Sequence, residues 1–401
     1  MGGQANLPLA GITVIDLGQV YQGPYATLLM AKAGATVIKV EPPSGEPLRL
    51  RAPVGRGASL PFAMLNSNKR AVTLNLKEGR GRALLVEMVK RADVLLENFA
   101  PGVLDRLGVG WAALSAANPR LVYASGSGFG LSGPDRDRLA MDLTVQAVSG
   151  IMSITGFPDG PPVKAGAAMV DFLAGTHLYA ATVTALLERA RTGKGRLVEV
   201  AMEETVYPTL ASNLGFLYNA EGQVPPRTGN RHGGLAIAPY NVYPAKDGHV
   251  AIICVVESHW RNLLAAMGRE NLNDDPRFAT NAARVQNLAA TDALVQGWTE
   301  SHTKDEIFAA TQRHRVPSAP VRDLLEVMHD RHMHERGMLE WLDHPELGRI
   351  VVPTSPLRYH GADCVPTTPS PRLGEHNTEI YGGWLGLAEA ELDALRRDGV
   401  I

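Results

Sequence analysis

The chain has 401 residues, with 39 lysines and arginines against 41 aspartates and glutamates, a formal net charge of −2. That balance leaves no basic excess to neutralise a nucleic-acid backbone, and a composition 45% hydrophobic and 20% charged is that of a globular chain, not a disordered or fibrous one. Two cysteines, Cys254 and Cys364, stand far apart without CxxC spacing, which excludes a disulfide framework and a thiolate zinc site and fits a reducing compartment.

At the start, Met1 to Asn6 lack the positive and apolar regions of a secretory signal. Asn6 stands where a myristoylation signal at Gly2 wants Ser or Thr. The apolar run at 12–17 reads as a buried strand, 24–32 as a helix ended by Gly34, and 36–41 as the next strand. Strands follow at 71–76, 94–97 and 121–125, with a helix at 79–91, then a long helix at 172–191 and a strand at 196–201. Strands separated by helices imply right-handed crossovers and a largely parallel sheet covered on both faces. The fold class expected is α/β. No apolar run approaches the roughly 20 residues that span a bilayer, and a cytoplasmic location follows.

The pattern changes at 219–234, polar and rich in Pro and Gly, which reads as a linker. Beyond it, 240–243 and 250–256 suggest a hairpin, followed by helices at 259–267, 281–301 and 304–314. Residues 321–336 open a last stretch with short strands near 349–352 and a Pro-rich tail. The division expected is a large domain over 1–220, a small α+β domain over 221–325, and a C-terminal stretch, 326–401, returning to the large domain.

A literal GxGxxG spans Gly128 to Gly133 after a strand. Pro134 and a charged run follow where a dinucleotide site needs a helix to open, and no acidic residue stands about 20 positions on. A nicotinamide-dependent oxidoreductase therefore rests on this loop alone. His329, His332, His334 and His344 cluster without a carboxylate at metal-ligand spacing, so no metal site is expected. Asp171 stands among apolar and small residues where the long helix begins. Capping the helix accounts for an aspartate there, and so does a poorly hydrated carboxylate poised for nucleophilic attack. Asp142, beside a second apolar helix, admits the same two readings.

Several ordered segments resemble the family III CoA-transferases, the formyl-CoA transferase and carnitine CoA-transferase group. They are 9–17 (LAGITVIDL), 23–27 (GPYAT), 34–41 (GATVIKVE), 68–70 (NKR), 97–102 (ENFAPG), 105–108 (DRLG), 155–157 (TGF), 167–175 (AAMVDFLAG), 191–195 (RTGKG), 239–240 (PY), 246–248 (KDG) and 374–377 (GEHN). The resemblance covers nearly the whole chain. It implies a Rossmann-like large domain, a smaller inserted domain and an interlocked homodimer.

It also implies that CoA moves from an acyl-CoA to an acid acceptor through a mixed anhydride and an aspartyl-CoA thioester on Asp171, with Asp142 and Tyr21 auxiliary. CoA contacts carried over by position are Val20, Leu74, Asn98, Phe99, Arg106, Leu107 and Met202. His232, Gly233 and Gly234 match a glycine segment that covers the site and supplies oxyanion donors. No tightly bound cofactor is implied, since coenzyme A is substrate and product. Two positions depart from formyl-CoA transferase: Tyr21 replaces a glutamine near the nucleophile and Pro42 replaces a CoA-binding arginine. Both speak against formate and oxalate, and the full-length likeness is to members using succinyl-CoA and other dicarboxylates. A second carboxylate would call for an arginine, with Arg49, Arg51 and Arg231 as candidates. The rival within the same fold is an α-methylacyl-CoA racemase, which pairs the aspartate with a histidine. Met141 occupies that position here and carries no proton.

Overall fold

The computed structural model describes residues 6–51, 59–219, 227–362 and 365–401. The chain start with Gly2, residues 220–226 of the expected linker, and Cys364 lie outside the described residues. In chain order the elements are β1 (Thr13–Asp16), α1 (Gln22–Lys32), β2 (Thr36–Glu41), α2 (Leu60–Asn66), β3 (Arg70–Thr73), α3 (Gly79–Arg91) and β4 (Val94–Glu97). Next come α4 (Val103–Arg106), α5 (Trp111–Ala117), β5 (Val122–Ser127), α6 (Asp142–Val148), α7 (Ile151–Ile154), α8 (Met169–Thr192) and β6 (Leu197–Ala201).

Two compact units are formed. The first takes Met1–Val145, Ala167–Val206 and Met328–Ile401; the second takes Gln146–Gly166 and Tyr207–Val327. In the first unit six strands form a sheet in the order β3-β2-β1-β4-β5-β6, and every neighbouring pair is parallel. The central strands are apolar on both faces, as a sheet covered on both sides requires. Ile15, Ile38, Val72 and Leu95 face Leu85, Met88 and Val89 of α3 and, from the chain's end, Ile380, Tyr381, Leu392 and Leu395. Their neighbours Val14, Val37, Val94 and Leu96 face Ala26 and Met30 of α1 and Leu178, Ala185 and Leu186 of α8. The C-terminal residues thus complete one face of a sheet that the N-terminal residues begin.

Helix α8 is, by length and composition, long and apolar enough to cross a membrane, which the search for an unbroken apolar run missed. Its apolar stripe packs on the sheet in the second of these cores. It starts three residues before the expected boundary, for a reason given below. Helix α2, which contains Pro61, was not among the expected elements. The proline falls in the first turn, where a missing N–H costs nothing, and the Ser59 hydroxyl caps the helix by accepting from Phe62 N at 3.2 Å.

The second unit carries an antiparallel sheet of β7 (Tyr240–Ala245), β8 (Gly248–Ile253) and β9 (Ser318–Pro320). The hairpin was expected; the three-residue β9 was too short to read. Tyr243, Val250 and Ile252 pack there against Trp260, Leu263, Leu264, Val295 and Ile307. The helix expected over 281–301 is two, Asn281–Gln286 and Leu288–Thr299, broken at Asn287. Back in the first unit, β10 (Leu339–His344) pairs antiparallel with β11 (Gly348–Pro353).

Candidate active site

The strand order reverses between β1 and β4, and open parallel sheets bind ligands in the crevice beyond the carboxyl ends of their strands at such a point. A cavity of about 440 Å³ lies there, within the range of small-molecule sites. Gln19, Val20 and Gln22 reach it from the β1–α1 connection, Asn98 and Phe99 from beyond β4, and Ser127 and Gly128 from the end of β5. Met141, Asp171 and Met202 complete the part of the wall that carries the argument.

Side chains hold the β1–α1 connection at Gly18, Gln19 and Val20. Lys39 Nζ donates to the Gly18 carbonyl at 2.7 Å. The Asn98 carboxamide grips Gln19 from both sides, accepting from its N–H at 2.7 Å and donating to its carbonyl at 3.0 Å. Glu46 accepts from Val20 N at 3.0 Å and pairs with Lys39 at 3.2 Å. Val20 is thereby kept at a φ of 62°, a left-handed conformation that a β-branched residue adopts only where its surroundings over-determine it. Beneath lies a fully buried pair, Asp16 and Lys69, at 3.0 Å. Burial alone would raise the Asp16 carboxyl, but Lys69 and Lys39 outweigh it and hold it below the ordinary range.

Asp171 sits in the first turn of α8, and Ala168, the residue before that turn, has no side chain with which to cap it. The cap comes from elsewhere: Asp142, at the start of α6, accepts from Val170 N at 2.8 Å and from Asp171 N at 3.2 Å. This carboxylate from another helix allows α8 to begin at Met169. It also separates the two readings of Asp171, since the free amides are answered by Asp142 and the Asp171 carboxyl is left to the cavity. Burial pushes that carboxyl up to about 7, the charge of Asp142 adds to the rise, and Arg51 opposes it. A poorly hydrated carboxylate with a proton affinity near neutrality has the character of an activated nucleophile. Tyr21 stacks on Phe172 with ring centroids 5.8 Å apart, and the Arg51 guanidinium lies 5.5 Å from the Tyr21 ring centre.

The remaining candidates divide. Val20, Asn98, Phe99 and Met202 line the cavity. Leu74 is 2% exposed and spent in the core under the sheet. Arg106 is exposed at the end of α4 and Leu107 half-buried against the same core, both outside the cavity wall. Of the three arginines proposed for a second carboxylate, Arg49 is bidentate on Glu41, with both contacts 2.7 Å. Arg231 belongs to the second unit and pairs with Asp292 at 2.8 Å. Among the described residues Arg51 forms no ion pair, and its charge is felt by Asp171. His232, Gly233 and Gly234 form a turn of the second unit, in which His232 Nδ1 accepts from Gly234 N at 3.2 Å and Ala236 N at 3.3 Å.

No helix opens at the GxGxxG loop; Gly130 and Gly133 turn it at positive φ, and the next helix begins at Asp142. His329 and His334 pack on Trp341, and His344 is hydrogen-bonded to Ser370. Two side chains went unread in the sequence. Glu46 acts through a contact 26 positions away, which no local pattern carries. Gln22 did leave a sign, being a polar residue at the start of an otherwise apolar helix.

The family model described as CoA-transferase family III matches residues 9–377. A formyl-CoA:oxalate CoA-transferase of Streptomyces avermitilis is 38% identical, with 98% of this chain and 99% of that one aligned. A succinyl-CoA–D-citramalate CoA-transferase of Chloroflexus aurantiacus is 37% identical, over 98% of each. The crystal structure of a CaiB/BaiF family protein from Brucella suis superposes with a TM-score of 0.82 at 35% identity, covering 94% of this chain and 99% of that one.

Proposed function

The chain belongs to CoA-transferase family III and is a CoA-transferase acting on acyl-CoA and carboxylic acid substrates; from that premise we propose that Asp171 is its nucleophile and that its acids are dicarboxylates. The observation that carries the first part is the Asp171 carboxyl in the wall of the switch-point cavity, relieved of capping by Asp142 and held near 7 by burial.

In this mechanism an Asp171 oxygen adds to the donor thioester carbonyl. The tetrahedral adduct expels CoA as thiolate and leaves a mixed anhydride between Asp171 and the donor acyl group. The thiolate attacks the Asp171 carbonyl and expels the donor as its free carboxylate, which leaves an aspartyl-CoA thioester. The acceptor carboxylate attacks that thioester, CoA departs as thiolate, and a second mixed anhydride forms. The thiolate then attacks the acceptor's acyl carbon and releases Asp171 as a carboxylate. Every leaving group is a stabilised anion, so no net proton transfer is required. The resemblance further supports a homodimer.

Identity does not separate one dicarboxylate from another, since relatives named for oxalate and for D-citramalate match at 38% and 37%. Arg51 favours a second carboxylate: of the three arginines it alone has no carboxylate partner among the described residues, and from its place over Tyr21 its charge acts on Asp171. A planar guanidinium pairs such a group bidentately. The racemase reading finds no second base, since Asp171 is the one carboxylate among the lining residues, no histidine lines the cavity, and Met141 cannot exchange a proton.

Succinyl-CoA and formyl-CoA assayed against mono- and dicarboxylic acids should show exchange with dicarboxylates, and Asp171→Ala should abolish it. Peptide mass analysis after mixing with donor should place the CoA adduct on Asp171. Near-normal turnover in Asp171→Ala removes the nucleophile, and exchange confined to monocarboxylates removes the dicarboxylate reading.

A further inference from the structure

We propose that Gln22 is a catalytic hydrogen-bond donor, its carboxamide N–H stabilising the oxyanion that forms when the acyl carbonyl is attacked; this rests on the covalent reading of Asp171. Gln22 is 2% exposed and shares the cavity wall with Asp171. Its Nε2 is fully buried with no hydrogen-bond partner among the described residues. Native structures rarely keep a buried donor unanswered unless an ordered water, a ligand or a reacting atom answers it. A half-turn about the last side-chain bond exchanges amide nitrogen and oxygen without moving the rest of the group, so the donor can turn to an oxygen entering the cavity.

The fold makes room for Gln22 at two glycines, one against its side chain and one against its main-chain carbonyl. A Cβ on Gly126 of β5 would stand 2.8 Å from Cδ, Nε2 and Oε1 of Gln22, so the carboxamide lies flat against that glycine. A Cβ on Gly175, one turn beyond Asp171 in α8, would come within 2.7 Å of the Gln22 carbonyl oxygen. Of the other neutral polar side chains in the wall, Gln19 is only half-buried and three more are engaged. Asn98 spends both ends of its amide on Gln19, Ser127 accepts from Gly130 N, and the Thr144 hydroxyl is turned to Met141. Gln22 is also the first residue of α1, whose preceding residue, Tyr21, caps it with no side-chain hydrogen bond. The positive end of that helix therefore adds to the stabilisation of a developing anion.

As the Asp171 oxygen bonds to the acyl carbon, the carbonyl π pair moves onto oxygen; the N–H of Gln22 meets that charge, and collapse returns the pair as the C–S bond breaks. The contact is stronger to the oxyanion than to the thioester carbonyl, so its loss should appear in kcat. The test compares wild type with Gln22→Glu, which keeps the shape, Gln22→Leu, which keeps the bulk, and Gly126→Ala, which displaces the carboxamide from behind. The donor is the faster of succinyl-CoA and formyl-CoA.

For both Gln22 variants we expect kcat to fall about 10²–10³-fold, KM for the donor to change less than about threefold, and CoA to bind as in wild type. The adduct should still form on Asp171, more slowly by the same factor. Gly126→Ala should be slow alone and add nothing to Gln22→Leu. A kcat within about threefold of wild type in either Gln22 variant with intact CoA binding overturns the proposal. So does a loss carried by KM, or a full additional loss from Gly126→Ala in the Gln22→Leu background. Absence of the Asp171 adduct in wild type is a different failure, that of the covalent mechanism itself.

Discussion

Two carboxylates 29 positions apart share the work at the start of α8. One of them spends its oxygen on backbone amides, which leaves the other free of that task and raises its affinity for a proton. This arrangement has a pH signature. In the proposed mechanism Asp171 attacks only as the anion, and its carboxyl is held near 7, so kcat/KM should rise with pH through about 7 and level off above it. Asn at position 142 keeps an oxygen for Val170 N and Asp171 N but removes the neighbouring negative charge. Because burial is the larger cause of the rise and Asp142 the second, Asp142→Asn should move the acid limb to lower pH by a part of the shift, on the order of one unit or less. A profile of kcat/KM between pH 5 and 9 decides it, and an unmoved limb would separate Asp142 from the electrostatics of Asp171. Asp142→Ala should in addition lose the cap, at about 1 kcal/mol of stability.

At the scale of the element, β4 shows how strand ends carry both fold and function. All four residues, Val94 to Glu97, are buried, and the strand delivers Asn98 and Phe99 to the cavity. Burial pushes the Glu97 carboxyl up to about 7 against the pull of hydrogen bonds from Ser125 and Phe99 N. The folded state thus binds this proton more tightly than the unfolded chain, whose carboxyl titrates near 4.5. The corresponding stability is full below about 4.5 and is lost as pH rises through 7. Glu97→Gln, neutral throughout, should match wild type near pH 4.5 and exceed it at pH 8 by on the order of 3 kcal/mol. Urea midpoints at the two values measure this, and parallel behaviour of the two proteins would show that Glu97 ionises freely in the fold.

Strand β4 was legible because burial on both faces writes itself as a run of Val and Leu, β2 because Val37, Ile38 and Val40 are β-branched, and α3 because its apolar positions keep the helical period. The start of α8 was not, because its cap is supplied by Asp142 from another helix. Asp171 was legible as a candidate from its small, apolar neighbours. The clamp on Val20 was not, since Glu46, Lys39 and Asn98 meet it only through the parallel order of β1, β2 and β4.

Over the whole molecule, the unit that bears Asp171 is assembled from both ends of the chain, and the unit from its middle has a core of its own. Leu395 belongs to the C-terminal helix Glu389–Arg397 and packs under the parallel sheet, whereas Leu263 lies in the core of the second unit. Truncating either to alanine opens a cavity and should cost about 2–5 kcal/mol locally. Cys254 reports on the second unit: it is buried there as a free thiol, and burial pushes it up to about 12. A protonated, enclosed thiol does not react, so alkylation of Cys254 requires the second core to open. Leu263→Ala should speed that alkylation at least tenfold, while Leu395→Ala should lower the thermal midpoint of CoA transfer and leave Cys254 labelling near the wild-type rate. Peptide mass analysis of the labelled thiol separates the outcomes. Equal acceleration in both variants would mean that the two cores open together, and that the stability of the Asp171 unit is not set by its own contacts alone.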